Sequence, residues 1–185
     1  MSARHVSARL RHLLVLVLAT AGVASAQQAR STVPTPQSVF GFPVGADSQL
    51  VDYDQSIGYF RRLAAASNRI KLIEVGKTSN GKPWTIAVIS SPQNLAKLDH
   101  YRQIAQRLAH PEGLTDSSAR ALAREGRAFV DISGGLHASE IAGSQHTPQL
   151  AWDILSRAND PEIREVLDNV IFVLWPSINP DGQDI

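Results

Sequence analysis

The chain has 185 residues, 43% hydrophobic and 19% charged, with 12 glycines, 10 prolines and no cysteine. That is ordinary globular composition, and it excludes collagen-like and disordered chains, disulfide scaffolds, cysteine-ligated zinc fingers and cysteine nucleophiles. The formal net charge is +1, so the basic excess that marks a nucleic-acid binder is missing and no nucleic-acid partner is expected.

Even that small positive charge comes from the first residues. Arg4, Arg9 and Arg11 precede an apolar run from Leu13 to Val23, and Ala24-Ser25-Ala26 places small residues before Gln27. This three-part pattern predicts a secretory signal peptide over residues 1–26. The eleven apolar residues are too few to cross about 30 Å of hydrocarbon at about 1.5 Å each, so no stable membrane anchor is expected after cleavage. Residues 27–185 then hold 15 basic and 17 acidic side chains, a net charge of −2. The location implied is secreted or periplasmic.

Residues 27–48, rich in Pro, Gly, Ser and Gln, read as an irregular lead-in to a domain over 49–185. Tyr53, Ile57, Phe60 and Ala64 recur at helical spacing, with Arg61 and Arg62 on the wet side. Ile70 to Val75 predicts a strand, Ser79-Asn80-Gly81-Lys82-Pro83 a turn, and Trp84 to Ser90 its partner strand. Leu95, Leu98, Tyr101, Ile104 and Leu108 keep helical spacing up to His110-Pro111-Glu112-Gly113, and Thr115 to Arg124 makes another helix. Phe129, Val130 and Ile132 lead a strand into Gly134-Gly135. A helix from about Ser139 to Arg157 follows, kinked where Pro148 falls. A short helix then leads into Val170 to Trp175, which is apolar at nearly every position, as in a strand buried on both faces. The order predicts a three-layer α/β/α domain with a mixed, mostly parallel sheet, incomplete at its C-terminus.

Two stretches carry chemistry. In the first, His137 and Glu140 stand three apart where a strand hands over to a helix, so their side chains are neighbours. An imidazole and a carboxylate so placed both reach one ion at about 2.0–2.2 Å, which predicts their nitrogen and oxygen within about 3–5 Å of each other. In the second, Asn179-Pro180-Asp181-Gly182 follows the buried strand directly. Read alone it is a tight turn. Ligand sites of open α/β sheets form beyond the carboxyl ends of the strands, so the two stretches share an edge if their strands are parallel neighbours.

Together and in this order, 39 residues apart from Glu140 to Asn179, they resemble the zinc carboxypeptidase family that includes carboxypeptidase A. The resemblance covers roughly Tyr53 to Ile185, the amino-terminal half of such a domain. It implies a zinc-dependent, exported metallocarboxypeptidase acting on peptides or proteins, with His137 and Glu140 as two zinc ligands. It also implies that the third ligand, a histidine, the general-base glutamate and the groups that hold the substrate carboxylate lie beyond Ile185, so no catalytic residue is named within this chain. These 185 residues alone are therefore expected to show weak or no activity and poor stability, with Val170 to Trp175 left as an open edge. The segment Pro92 to Gly126 is a longer helical insertion than in compact family members.

The other histidines point less clearly to a metal. His146, six residues after Glu140, lies about 120° round a helix from it. His100 and His110 fall in the helical insertion, and His5 and His12 in the signal peptide. Ser133 and Ser139 lack the G-x-S-x-G setting of a serine hydrolase. Two alternatives stay open: a zinc amidohydrolase, deacylase or peptidoglycan peptidase of the same fold, and a non-catalytic exported binding domain. The oligomeric state is not set by the sequence.

Overall fold

A computed structural model describes residues 33–185, so the expected signal peptide at 1–26 lies outside the described residues. In chain order the elements are α1 (Pro36–Phe40), α2 (Tyr53–Ala66), β1 (Ile70–Lys77), β2 (Pro83–Ile89), α3 (Pro92–Ala96), α4 (Leu98–Ala109) and α5 (Asp116–Glu125). They continue with β3 (Ala128–Ser133), α6 (Ile141–Gln145), α7 (Thr147–Ser156), α8 (Pro161–Asn169), β4 (Val170–Trp175) and α9 (Pro180–Gln183). The stretch read as an irregular lead-in thus contains a helix, α1, whose Val39 and Phe40 pack on the core.

Helix α2 shows how sequence sets an element. Asp52 accepts the Gln55 N–H while the Gln55 side chain accepts the Asp52 N–H, a capping box that satisfies two otherwise orphaned donors. Tyr53, Ile57, Phe60 and Leu63 are buried, and Arg61 and Arg62 face water. The 3.6-residue period explains that division.

The four strands lie in the order β1-β2-β4-β3. β1 and β2 form an antiparallel hairpin from Ile70↔Ile89 to Lys77↔Pro83, and β2 pairs antiparallel with β4. β3 and β4 are parallel, from Ala128↔Val170 to Ser133↔Trp175. The sheet is mixed, as expected, but antiparallel pairs outnumber the parallel one, which corrects the expectation of a mostly parallel sheet. The cause is connection length: the short turn after Lys77 can only return antiparallel, whereas β3 reaches β4 by a crossover through α6, α7 and α8.

Alternation along the strands sorts the core into two clusters. Ile70, Leu72, Ala87, Ile89, Phe172 and Leu174 face α2 and α7, meeting Tyr59, Phe60, Leu63, Ala151 and Leu155. Ile73, Ile86, Val88 and Ile171 point the other way, onto Leu98, Tyr101 and Ile104 of α4 and Leu122 of α5. Helices therefore cover both faces, which makes the three layers, and the insertion from Pro92 supplies one whole layer.

Two further expectations change. β4 is flanked by β2 and β3, so the edge strands are β1 and β3, and on β3 Phe129 and Val130 are 37% and 38% exposed. The helix read from about Ser139 to Arg157 is two helices, α6 and α7, parted at His146. Pro148 has no N–H for the Ser144 carbonyl, and the Thr147 hydroxyl bonds that carbonyl instead, at 3.0 Å. Among the described residues, no helix is long and apolar enough to cross a membrane.

A candidate metal centre

The parallel pairing of β3 and β4 sends their following loops out side by side at the carboxyl ends of both strands. Two backbone bonds continue the ladder past the strands: Gly134 N–H to the Trp175 carbonyl at 3.3 Å, and Ile178 N–H to the Gly134 carbonyl at 2.8 Å. Asn179 adds a third tie, its side-chain amide donating to the Leu136 carbonyl at 3.1 Å. The two stretches singled out by sequence are therefore in contact.

Glycines make this junction possible. Gly135 has φ +67°, a left-handed conformation that side chains disfavour, and a Cβ there would meet Ser144 Cβ at 2.9 Å. The loop from Leu136 then turns, with Glu140 N–H donating to the His137 carbonyl at 3.1 Å. Helix α6 starts only at Ile141, so the pair stands on the turn before the helix and not on its first turn.

His137 Nδ1 and Glu140 Oε2 are 2.8 Å apart, on side chains 65% and 66% exposed. They face the same side and hydrogen-bond directly, slightly closer than the about 3–5 Å expected for two groups sharing one ion. An ion pair this exposed adds little to stability, so its geometry is not explained by packing. One imidazole nitrogen and one carboxylate oxygen, both open to solvent, are of the chemical types that zinc sites use.

Among the described residues, no group of three or more His, Cys, Asp and Glu is placed to hold a metal ion. His146 bonds its Nδ1 to the Ala142 carbonyl at 3.1 Å, and His100 pairs with Glu125 at 2.9 Å between α4 and α5. His110 caps the end of α4.

The clamp behind Asn179 has no signal in the local sequence pattern. Asp181 accepts the Thr78 hydroxyl at 2.7 Å and the Asn80 N–H at 3.1 Å, which fastens this turn to the β1–β2 hairpin. A cavity lined by Lys77, Thr78, Trp84, Asn179 and Asp181 lies between them. Asp184 extends the seam by accepting the Tyr53 N–H at 2.9 Å and by pairing with Lys82.

A mixed three-layer α/β domain with a His-x-x-Glu donor pair beyond a parallel strand pair defines the class. The sequence pattern of the family described as zinc carboxypeptidase matches residues 57–185, so the chain belongs to the zinc carboxypeptidase family. Among solved structures, thrombin activatable fibrinolysis inhibitor is similar at 12% identity with a TM-score of 0.53, covering 79% of this chain and 30% of its own. A metallo-carboxypeptidase from Burkholderia cenocepacia matches at 18% identity and TM-score 0.48, over 72% of this chain and 28% of its own. Carboxypeptidase A from Helicoverpa armigera matches at 17% identity and TM-score 0.48, over 79% and 31%. The chain thus spans about 30% of the length of these structures. No curated protein matches the sequence.

Proposed function

We propose that this chain is part of an exported zinc-dependent carboxypeptidase acting on peptides or proteins, with His137 and Glu140 as two of its zinc ligands. The observation that carries the reading is the 2.8 Å convergence of His137 Nδ1 and Glu140 Oε2 on a loop that Asn179 ties to the end of β4. Family membership supports the reaction class, a hydrolysis of peptide bonds.

When bound, zinc supplies Lewis-acid polarisation of the scissile carbonyl and activation of a water. This chain's own part is to hold the ion. His137 offers an imidazole nitrogen, and Glu140 offers a carboxylate that lowers the net charge at the ion. The side-chain-free backbone at Gly134 and Gly135 lets the loop sit tightly against α6. Among the described residues no third His, Cys, Asp or Glu joins the pair, and a catalytic zinc normally keeps three protein ligands, so turnover by these 185 residues alone is expected to be weak or absent.

Calorimetric titration of the 185-residue chain with Zn²⁺ tests the assignment. Binding is expected in the wild type and is expected to fall by at least about tenfold in His137→Ala and in Glu140→Gln. Zinc affinity indifferent to both substitutions overturns it.

A further inference from the structure

We propose that Asn179 is a positioning residue for the His137–Glu140 pair, acting through the backbone carbonyl of Leu136. The proposal rests on the zinc reading above and names what holds the pair's loop in place.

Side-chain packing does not fix that loop. His137 and Glu140 project into solvent, and Leu136 is itself 60% exposed. What remains is backbone hydrogen bonding. The two ladder bonds of Gly134 lie three residues before His137, while the Asn179 amide holds the peptide group that joins Leu136 to His137. Of the ties that come from β4 and the turn after it, this one is nearest the pair.

Asn179 is fixed from both sides. Its oxygen accepts the Gly182 N–H at 3.0 Å, and a Cβ on Gly182 would lie 2.4 Å from the Asn179 nitrogen, so glycine leaves room for the amide. Asp181 fastens the same turn to Thr78 and Asn80. The hydrogen bonds of Asp181 and of Asn179, joined by the turn's own backbone, therefore link the hairpin turn to the carbonyl beside His137.

The amide is needed because it both accepts and donates. Aspartate at 179 keeps the acceptor for Gly182 but has no N–H for Leu136. Asn179→Asp should thus release the His137 loop and leave its own turn in place.

The experiment compares wild type, Asn179→Asp, Thr78→Val and His137→Ala as full 185-residue chains. Zn²⁺ affinity is measured by calorimetry, and amide hydrogen exchange at Glu140 and thermal unfolding are measured without metal. Asn179→Asp is expected to weaken His137-dependent zinc binding about tenfold, in the range seen when groups that orient metal ligands are removed. Exchange of the Glu140 N–H, which bonds the His137 carbonyl, should rise, with the melting temperature near that of wild type. Thr78→Val, which loosens the clamp one step further back, should show a smaller loss in the same direction. Wild-type zinc affinity and exchange in Asn179→Asp, while His137→Ala abolishes binding, overturns the positioning role and leaves the zinc reading standing. Zinc binding indifferent to His137→Ala overturns both. If Asn179→Asp does not fold, Thr78→Val decides alone, and unchanged zinc affinity in it overturns the proposal.

Discussion

A methyl group on Gly134 would lie 2.3 Å from the Gly143 carbonyl oxygen and 2.6 Å from Cγ2 of Thr147. The turn that leaves β3 therefore packs backbone against the α6 backbone, with no space for a side chain. Gly134→Ala must push the His137 loop and α6 apart. Overpacking of this kind costs about 1–3 kcal/mol, and here the obstructing atom is backbone, which cannot rotate away. Urea unfolding should show that loss, together with weaker zinc binding. Wild-type stability in this variant would contradict the packing described.

Thr147 connects the same region to the end of β4. Its side chain is fully buried and its hydroxyl is shared by the Ser144 carbonyl at 3.0 Å and the Pro176 carbonyl at 2.9 Å. A hydroxyl has one proton, so at any moment it donates to one of the two. Thr147→Val keeps the shape and removes the donor. The expected cost is about 1–3 kcal/mol, the penalty for leaving a buried carbonyl unpaired. Chemical denaturation measures it, and a neutral result would mean that water or a backbone shift satisfies both carbonyls.

What could be read from sequence was local. The His137–Glu140 spacing, the face of α2 and the Ser79–Pro83 turn each depend on residues a few positions apart, and each is present. The antiparallel majority of the sheet follows from the short turn after Lys77, which dictates an antiparallel pair that the strand-helix-strand order alone does not reveal. The split at His146 exceeds the kink that Pro148 predicts, because Thr147 also turns its hydroxyl back to Ser144. The clamp of Asp181 on Thr78 and Asn80 joins residues about a hundred positions apart and has no periodicity to betray it. The same holds for Asp184 and Tyr53.

The Lys82–Asp184 pair makes stability depend on pH at both extremes. Burial pushes the Asp184 carboxyl up, but the Lys82 hydrogen bond and the Tyr53 N–H outweigh it and hold the pKa below its ordinary 3.8. The same hydrogen bond to Asp184 is the chief cause that holds Lys82 above its ordinary 10.5. A depressed carboxylate stabilises the fold above its unfolded pKa, and that stability is lost as pH falls through the folded value. A raised lysine stabilises below its unfolded pKa and loses that stability as pH rises through the folded value. Lys82→Met should therefore be less stable than wild type across the neutral range. The gap should narrow as pH falls below 3.8 and again as it rises above 10.5. A gap independent of pH, in urea titrations from acid to alkali, would assign the loss to packing of the lysine stem.

The open edge at β3 makes the last prediction. Among the described residues β3 pairs only with β4, so alternate N–H and C=O groups on its far side have no strand partner. Phe129 and Val130 stand on opposite faces of that strand, 37% and 38% exposed. An unpaired edge with exposed apolar side chains is a template for pairing with another chain. Residues 27–185, the form expected after signal cleavage, should therefore self-associate as their concentration rises, in sedimentation velocity or light scattering. Val130→Lys places a charge where an incoming strand would bury it, and should shift the chain toward monomer. Because Val130 is already partly in water, folding stability should change by less than about 1 kcal/mol, near the range for surface substitutions. A wild-type chain that stays monomeric at every concentration, with a cooperative transition in the ordinary range of about 5–15 kcal/mol, would mean that this edge is not a liability. The twist of the strand or the side chains beside it would then have to be the protection.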